Sequence, residues 1–101
     1  MRPIPPFDRP GVWLRGDLHC HSRASDGALP PEEVRERHRR AGYDFLALTD
    51  HDRVTPLAAG EDSPLVLPGA ELSLGRTRQG SPFHCLAVGL RTELPASHAS
   101  P

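Results

Sequence analysis

The sequence predicts an α/β fold built around parallel strands. Residues 12–48 contain a strand-like run, a helical pattern and a second strand-like run, and this order implies a parallel pair joined by a crossover helix. Three apolar runs end in residues that can bind a metal, and functional groups of parallel α/β proteins collect at the carboxyl ends of strands. With 101 residues the chain can form one domain, but it is shorter than the roughly 250 residues of a complete (β/α) barrel.

The first predicted strand covers residues 12–21 and follows an extended, proline-rich lead-in over residues 1–11. Val12, Leu14 and Leu18 are expected to supply its apolar contacts, and Trp13 is expected to close one end of the core. A loop is predicted over residues 22–29, because Asp26 and Gly27 form a turn signal.

A helix is predicted over residues 31–41. Pro31 suits the first helical position, and Glu32 and Glu33 complement the positive end of the helix dipole. Gly42 is placed to end the helix. The expected buried stripe consists of three residues at positions i, i+4 and i+7: Val34, His38 and Ala41.

The remaining predicted elements are shorter. Residues 43–48 are strongly apolar and predict a strand covered on both faces, as in a parallel sheet. The later predictions are, in chain order, a helical turn over 57–61, a strand over 65–74, a polar loop over 75–82, a strand over 83–90 and a frayed tail over 91–101. Residues 12–90 are therefore expected to form the folded unit.

Charge and composition exclude several classes of function. The net charge is -1 with neutral histidines, so no broad basic surface for nucleic acid or for an anionic membrane is expected. The amino terminus lacks the apolar segment of a secretory signal, and no run approaches the roughly 18 apolar residues of a membrane span. Cys20 and Cys85 match no paired metal spacing and are expected to be reduced thiols in a cytoplasmic protein.

A pair of histidines in the stretch GDLHCHSRASDG is the first indication of a metal site. Side chains two residues apart point to one face of a strand, so His19 and His21 share a face, and Asp17 joins them if the strand is regular. Cys20 points the other way, towards the helix. Two neighbouring imidazoles can chelate one cation, whereas the alternative is an ordinary pair of surface or core histidines.

Further residues of the ligand type follow each apolar run. Asp26 lies in the loop after the first strand, His51 follows the second apolar run, and Glu71 follows LVLPGA. Because carboxyl ends of parallel strands meet at one edge of a sheet, the three positions together predict a metal centre there.

His84 lies near the start of its apolar run, whereas the other candidate ligands follow the ends of theirs. An antiparallel hairpin explains this position: if Ser73 lies opposite His84, then Glu71 and His84 are diagonal neighbours on one face, about 7–8 Å apart. The Glu71 carboxylate could then bridge two metals, one of them bound by His84. A shift of one residue in the register would turn His84 away.

The residues flanking these candidates have weaker indications. Asp50 and Asp52 flank His51, and they are equally consistent with partners that orient its ring and with solvated loop acids. Arg23 and Arg53 follow ligand positions and are candidates for clamping an anionic substrate, although many loop arginines are only solvated.

Other polar residues are expected to have no chemical role. His38 lies on the helix stripe and is expected to be packed, and His98 lies in the tail. Ser22 and Ser25 lack a histidine and acid arrangement in the sequence, so a serine nucleophile is poorly supported.

Four phrases in one order resemble a known family. DLHCHSRASDG, ALTDHD, PGAELS and HCLAVGL resemble the amino-terminal motifs of the PHP superfamily, the polymerase and histidinol phosphatase metal-dependent phosphoesterases. The phrases WLRGDLHCHSRASDG and AGYDFLALTDHDRVTP look most like the metallohydrolase branch named for carbaryl hydrolase. The resemblance covers about residues 12–90, which would be a partial PHP domain.

The resemblance implies a distorted (β/α)7 barrel with three metals at the carboxyl ends of its strands. The implied ligands are His19, His21, Asp26, His51, Glu71 and His84. His19 and His21 would bind the first metal, Glu71 would bridge the first and second, His84 would bind the second, and the remaining two ligands would hold the third. The catalytic role would fall to His19, His21 and Glu71, with zinc, manganese or iron as the metals.

The implied activity is hydrolysis of a small phosphoester by a metal-activated water, with a carbamate or another ester as the alternative substrate. The family has further ligands downstream, a central histidine and a late Asp-x-His pair, and this sequence lacks them. The chain therefore resembles the amino-terminal, truncated part of the barrel. It would be active if a missing carboxyl-terminal segment or self-association completed the site. The alternatives are a module that binds metal without turnover and an inactive fragment.

Overall fold

The computed structural model describes residues 7–57 and 63–90. Within these two segments the chain forms five elements, which are β1 (Gly16–Cys20), α1 (Pro31–Arg40), β2 (Phe45–Leu48), β3 (Leu65–Arg76) and β4 (Pro82–Val88). The predicted turn at 57–61 and tail at 91–101, including His98, lie outside the described residues except for Leu57. No helix in the described segments has the length and hydrophobicity needed to cross a membrane.

The described strands form one sheet in the order β1-β2-β3-β4. β1 and β2 are parallel, as are β2 and β3, whereas β3 and β4 form an antiparallel hairpin. The α/β prediction is confirmed, and α1 is the crossover between the first two strands. A parallel bridge between His51 and Glu71 brings the segment after β2 against the middle of β3.

The core lies between β2 and α1. Val34, Leu46 and Leu48 form its buried centre, with part-buried side chains packed around them: Cys20, Leu29 and Val66. Leu46 and Ala47 are completely buried, which confirms the prediction of a strand covered on both faces.

The helix ends at a left-handed glycine. Gly42 has a φ of 84°, its N–H donates to Arg39 O at 3.1 Å, and the N–H of Tyr43 donates to His38 O at 3.0 Å. These two bonds form a Schellman motif and confirm the predicted stop. Two of the three residues predicted for the buried stripe are covered, since Val34 is buried and His38 is part-buried. Ala41 is exposed, because it is the capping residue at which the chain leaves the helix.

The first strand is shorter than predicted. It begins at Gly16 and not at residue 12, because pairing with β2 starts at Gly16 opposite Phe45. Val12 and Trp13 are 85% and 83% exposed, so Trp13 does not close the core as expected and instead contacts Phe7 with ring centroids 5.3 Å apart. A run of apolar residues forms a β-strand only where a neighbouring strand can pair with it, and residues 12–15 have no such neighbour in the described part of the chain.

The hairpin strands differ slightly from the predicted bounds. β3 continues to Arg76 and β4 begins at Pro82, so the loop between them is limited to residues 77–81, while β4 ends at Val88 and not at residue 90. Its turn is closed by the N–H of Gly80 donating to Thr77 O at 2.9 Å and the N–H of Thr77 donating to Ser81 O at 2.8 Å.

The two cysteines are expected to differ in reactivity. Both are free thiols, but Cys20 packs against the core and its S–H donates to Ala47 O at 3.3 Å, whereas Cys85 is exposed. Burial, followed by the nearby carboxylates of Asp17 and Asp50, raises the pKa of the Cys20 thiol to about 12. Iodoacetamide near neutral pH should therefore alkylate Cys85 in the folded chain and Cys20 only after denaturation, as peptide mass spectrometry would show. Equal labelling of both in the folded chain would contradict this packing.

Candidate metal centre

The loops that carry the candidate ligands are joined by a buried carboxylate. Asp50 is fully buried and accepts hydrogen bonds from the Ser22 N–H at 2.7 Å, the Ser22 hydroxyl at 2.7 Å, the Ser25 hydroxyl at 2.6 Å and the Thr55 hydroxyl at 2.5 Å. The loop after β1 is thereby tied to the segment after β2. The sequence left open whether Asp50 is a solvated loop acid, and its complete burial shows that it is not.

Burial alone would raise the pKa of Asp50, but hydrogen bonds from Ser25, Thr55 and Ser22 outweigh burial and hold the pKa below its ordinary value. The carboxylate is therefore an ionised acceptor at neutral pH. Because the hydroxyls of Ser22 and Ser25 donate to it, neither is arranged as a nucleophile.

The strand that carries the two histidines is irregular. Asp17 pairs with Leu46 and Cys20 with Leu48, so three steps along β1 match two steps along β2. The irregularity places Asp17 with Cys20 on the helix side, where its Oδ2 lies 2.9 Å from His38 Nε2. Asp17 therefore does not join His19 and His21, as a regular strand would require.

A first group of candidate ligands consists of His19, His21 and Glu71, whose donor atoms lie within 4.8 Å of one another. His19 Nε2 is 3.2 Å from Glu71 Oε1, and His21 Nε2 is 2.9 Å from Glu71 Oε2. The Glu71 side chain is only 11% exposed, and the N–H of Glu71 donates to Asp50 O at 3.0 Å. The sheet therefore holds the carboxylate between the two imidazoles.

A second group consists of His21, Asp26 and His51. Asp26 lies between the two rings, with Oδ1 against His21 Nδ1 and Oδ2 3.1 Å from His51 Nε2. His51 Nε2 is also 3.4 Å from Glu71 Oε2. The turn that brings Asp26 here needs glycine next to it, because a Cβ on Gly27 would lie 2.6 Å from His21 O.

The hairpin register brings His84 to the same place. Ser73 lies opposite His84, as predicted, and Glu71 lies opposite Leu86. The rings of His84 and His51 have centroids 5.2 Å apart, next to the 4.6 Å pair formed by His51 and His21. His84 thus lies beside the second group without joining either set of converging donor atoms in the described residues.

The donor atoms fit divalent metal ions. His21 Nε2 is buried and forms no hydrogen bond with the described residues, although it lies 2.9 Å from a Glu71 oxygen. A neutral nitrogen in this position turns its lone pair towards a carboxylate, which is unfavourable unless a cation lies between them. The mixed nitrogen and oxygen donors suit zinc, manganese or iron. The hydrogen bond from His21, with the nearby rings, also lowers the pKa of Asp26, so this carboxylate is ionised and available as a ligand.

Three hydrogen bonds of Asp52 near the site were not predicted. Asp52 accepts from the N–H of Ser73 at 2.7 Å and from its hydroxyl at 2.8 Å, while its own N–H donates to Glu71 O at 2.9 Å. Asp52 has a φ of 53°, a conformation that aspartate tolerates better than most residues. It therefore anchors the segment after β2 to β3, although its side chain is exposed. Sequence offers no signal for this bond, because the partners are 21 residues apart.

The candidate substrate arginines are both exposed. Arg23 donates to Ala28 O at 3.0 Å and so braces its own loop. A role for Arg23 or Arg53 in binding an anion stays a prediction.

Several known proteins are similar to this chain. An error-prone DNA polymerase of Nocardia farcinica is 46% identical over 83 residues, which is 75% of this chain and 7% of the polymerase. A 3',5'-nucleoside bisphosphate phosphatase of Chromobacterium violaceum is 40% identical over 85 residues, covering 79% of this chain and 29% of that enzyme. A phosphoribosyl 1,2-cyclic phosphate 1,2-diphosphodiesterase of Eggerthella lenta is 34% identical over 85 residues, covering 79% of this chain and 32% of the relative.

No model of a known protein family matches the chain. The chain spans less than a third of the length of each of these three relatives. Two of the three are named for the cleavage of phosphate esters.

Proposed function

We propose, on the premise that these similarities support a place in the PHP superfamily, that the chain carries metal ligands of a phosphoester hydrolase. The observation that supports this most directly is that the two groups of donor atoms have His21 in common. Glu71 Oε2 also lies 3.4 Å from His51 Nε2, so the two groups are next to each other. Adjacent groups of nitrogen and oxygen donors are suited to hold neighbouring cations, the arrangement that many phosphoester hydrolases use.

Each ligand has a separate task in this proposal. His19 and His21 present nitrogens from the end of β1, and Glu71 presents both carboxylate oxygens from the middle of β3. Asp26 and His51 form the second position, and His84 extends it. Metal ions bound there would supply Lewis acidity and a water of lowered pKa, so no side-chain nucleophile is needed.

The proposal also covers the barrel, the substrate and the location of the protein. The sheet would be the first part of a distorted (β/α)7 barrel over residues 12–90, completed by a further segment or by a second copy of the chain. The substrate would be a small phosphoester, and the carbaryl-hydrolase-like phrases favour a carbamate or another ester as the alternative. A cytoplasmic location fits the free thiols.

Metal-dependent hydrolysis tests the proposal. The chain supplied with Mn²⁺ or Zn²⁺ is expected to cleave p-nitrophenyl phosphate, and His19→Ala should abolish the cleavage because it removes a donor of the first group. Release of nitrophenolate measures the rate, and elemental analysis measures bound metal.

The control is Glu36→Gln, which removes a carboxylate from the outer face of α1, where it pairs with Arg39 at 2.6 Å. This variant should retain full turnover. Cleavage that survives His19→Ala would show that the reaction does not use this centre, and metal bound without any turnover would identify a binding module.

A further inference from the structure

A second cluster lies on the opposite side of β1 from the candidate metal centre. It contains Asp17, Cys20 and His38, whose donor atoms lie within 4.8 Å of one another. His38 comes from α1 and is largely buried, with its side chain 15% exposed, and the Asp17 side chain is 29% exposed. The cluster thus connects the helix to the strand that carries the first ligands.

Both nitrogens of the His38 ring make hydrogen bonds. Nδ1 lies 2.7 Å from Val34 O, and Nε2 lies 2.9 Å from Asp17 Oδ2. A carbonyl oxygen can only accept, so Nδ1 donates to Val34 O, while one proton lies in the bond between Nε2 and Asp17 Oδ2. This bond holds the Asp17 side chain in one orientation.

The other oxygen of Asp17 contacts the backbone of a candidate ligand. Asp17 Oδ1 accepts from the backbone N–H of His19 at 3.1 Å, within the irregular stretch of β1. One carboxylate therefore joins α1, through His38, to the backbone of the residue that carries the first candidate ligand.

We propose that Asp17 and His38 are positioning residues that hold His19 towards Glu71. Because β1 pairs irregularly with β2 between Asp17 and Cys20, His19 is not part of a regular series of strand pairs. The hydrogen bond from the His19 N–H to Asp17 replaces part of this missing backbone pairing. The His19 side chain is 50% exposed, so packing alone does not set its direction. This inference rests on the proposed metal-dependent function.

The same three residues do not require a metal of their own. His38 has both nitrogens hydrogen-bonded, Asp17 both oxygens, and the Cys20 S–H donates to Ala47 O. By contrast, His21 Nε2 in the candidate metal centre is buried without a hydrogen bond. Within the described residues, the buried nitrogen without a hydrogen bond therefore belongs to the candidate metal centre and not to the cluster of Asp17, Cys20 and His38.

Metal affinity in the whole chain tests the inference. Titration with Co²⁺, followed by its visible absorption, should show Asp17→Ala and His38→Leu binding about tenfold to a hundredfold more weakly than the unmodified chain, as is typical when the partner of a ligand is removed. The double variant should lose no more than either single variant, because the two side chains act through one bond. Asp17→Asn should recover most of the loss, since an amide can accept from His19 and donate to a neutral His38.

A destabilised control separates positioning from folding. Val66→Ala removes packing from the same core without touching Asp17 or His38, so it should lower the unfolding temperature and leave the Co²⁺ affinity of the folded chain unchanged. Circular dichroism would establish that each variant is folded at the temperature of the titration. If His38→Leu does not fold, the near-isosteric Asp17→Asn and the Asp17→Ala variant still supply the comparison.

Three results would overturn the inference. Unchanged affinity in the Asp17 and His38 variants would remove the positioning role while leaving the proposed function intact. An intense thiolate-to-Co²⁺ charge-transfer band that disappears in Cys20→Ser would show that the cluster itself binds the metal. Absence of Co²⁺ binding by the unmodified chain would instead sink the proposed function, and the inference with it.

Discussion

Replacing Glu71 by glutamine is expected to abolish stoichiometric metal binding. The carboxylate lies 3.2 Å from His19 Nε2, 2.9 Å from His21 Nε2 and 3.4 Å from His51 Nε2, so it contacts three of the candidate ligands. Glutamine removes the negative charge and replaces one oxygen by an amide nitrogen, which cannot bind a cation. Affinity should fall by more than the roughly hundredfold that loss of an outer partner costs.

Isothermal titration with Zn²⁺ or Mn²⁺ measures this loss, and elemental analysis of the dialysed protein checks it. Glu36→Gln is the matched control, since it makes the same chemical change at an exposed carboxylate on α1. Its affinity should equal that of the unmodified chain. Metal retained at full stoichiometry by Glu71→Gln would show that Glu71 is not the shared ligand.

Replacing Asp50 by asparagine is expected to destabilise the fold by about 3 kcal/mol. The buried carboxylate accepts four hydrogen bonds from Ser22, Ser25 and Thr55, and hydrogen bonds to a charged acceptor contribute about 1.5–3 kcal/mol each when one partner is lost. Asparagine has the same shape, but its amide group would direct two N–H donors at these donors. The unfolding temperature should fall by roughly 12–24 °C, because 1 kcal/mol shifts it by about 4–8 °C in a domain of this size.

Thermal unfolding followed by circular dichroism measures the effect of Asp50→Asn. Asp52→Asn provides the comparison, because Asp52 is an exposed neighbour that accepts two hydrogen bonds, both from Ser73. The stability lost in Asp52→Asn should be smaller, about 1 kcal/mol. Equal unfolding temperatures for Asp50→Asn and the unmodified chain would show that this buried network does not hold the two loops together.

The order of elements was predictable because it depends on local patterns. Apolar residues 43–48 and the proline and glycine that bound α1 act within a few residues, and the structure confirms both. The hairpin register was only supposed from the sequence, as a pairing that would place Glu71 and His84 on the same face, and the structure pairs Ser73 with His84 in that way.

The failures have a common cause in contacts between distant residues. The apolar residues before Gly16 have no neighbouring strand, so Trp13 stays exposed although its sequence context resembles a strand. Asp17 left the face of His19 because β1 pairs irregularly with β2, and Asp50 is buried because hydroxyls from two separate loops surround it. The Ser22 and Ser25 partners of Asp50 are 28 and 25 positions away along the chain, beyond the reach of strand and helix periodicity.

The identities of the possible metal ligands, and their positions after successive strands, follow from the amino-acid sequence, since ligand chemistry and strand order are local properties of the chain. The grouping of these ligands depends on how the chain packs. His21 contacts both Glu71 and Asp26, and a buried nitrogen is left without a hydrogen bond. The same fold places Asp17 between the His38 ring and the backbone N–H of His19. The physical reason is that a hydrogen bond or a shared ligand depends on distances of about 3 Å between side chains, and packing of the sheet and helix sets those distances.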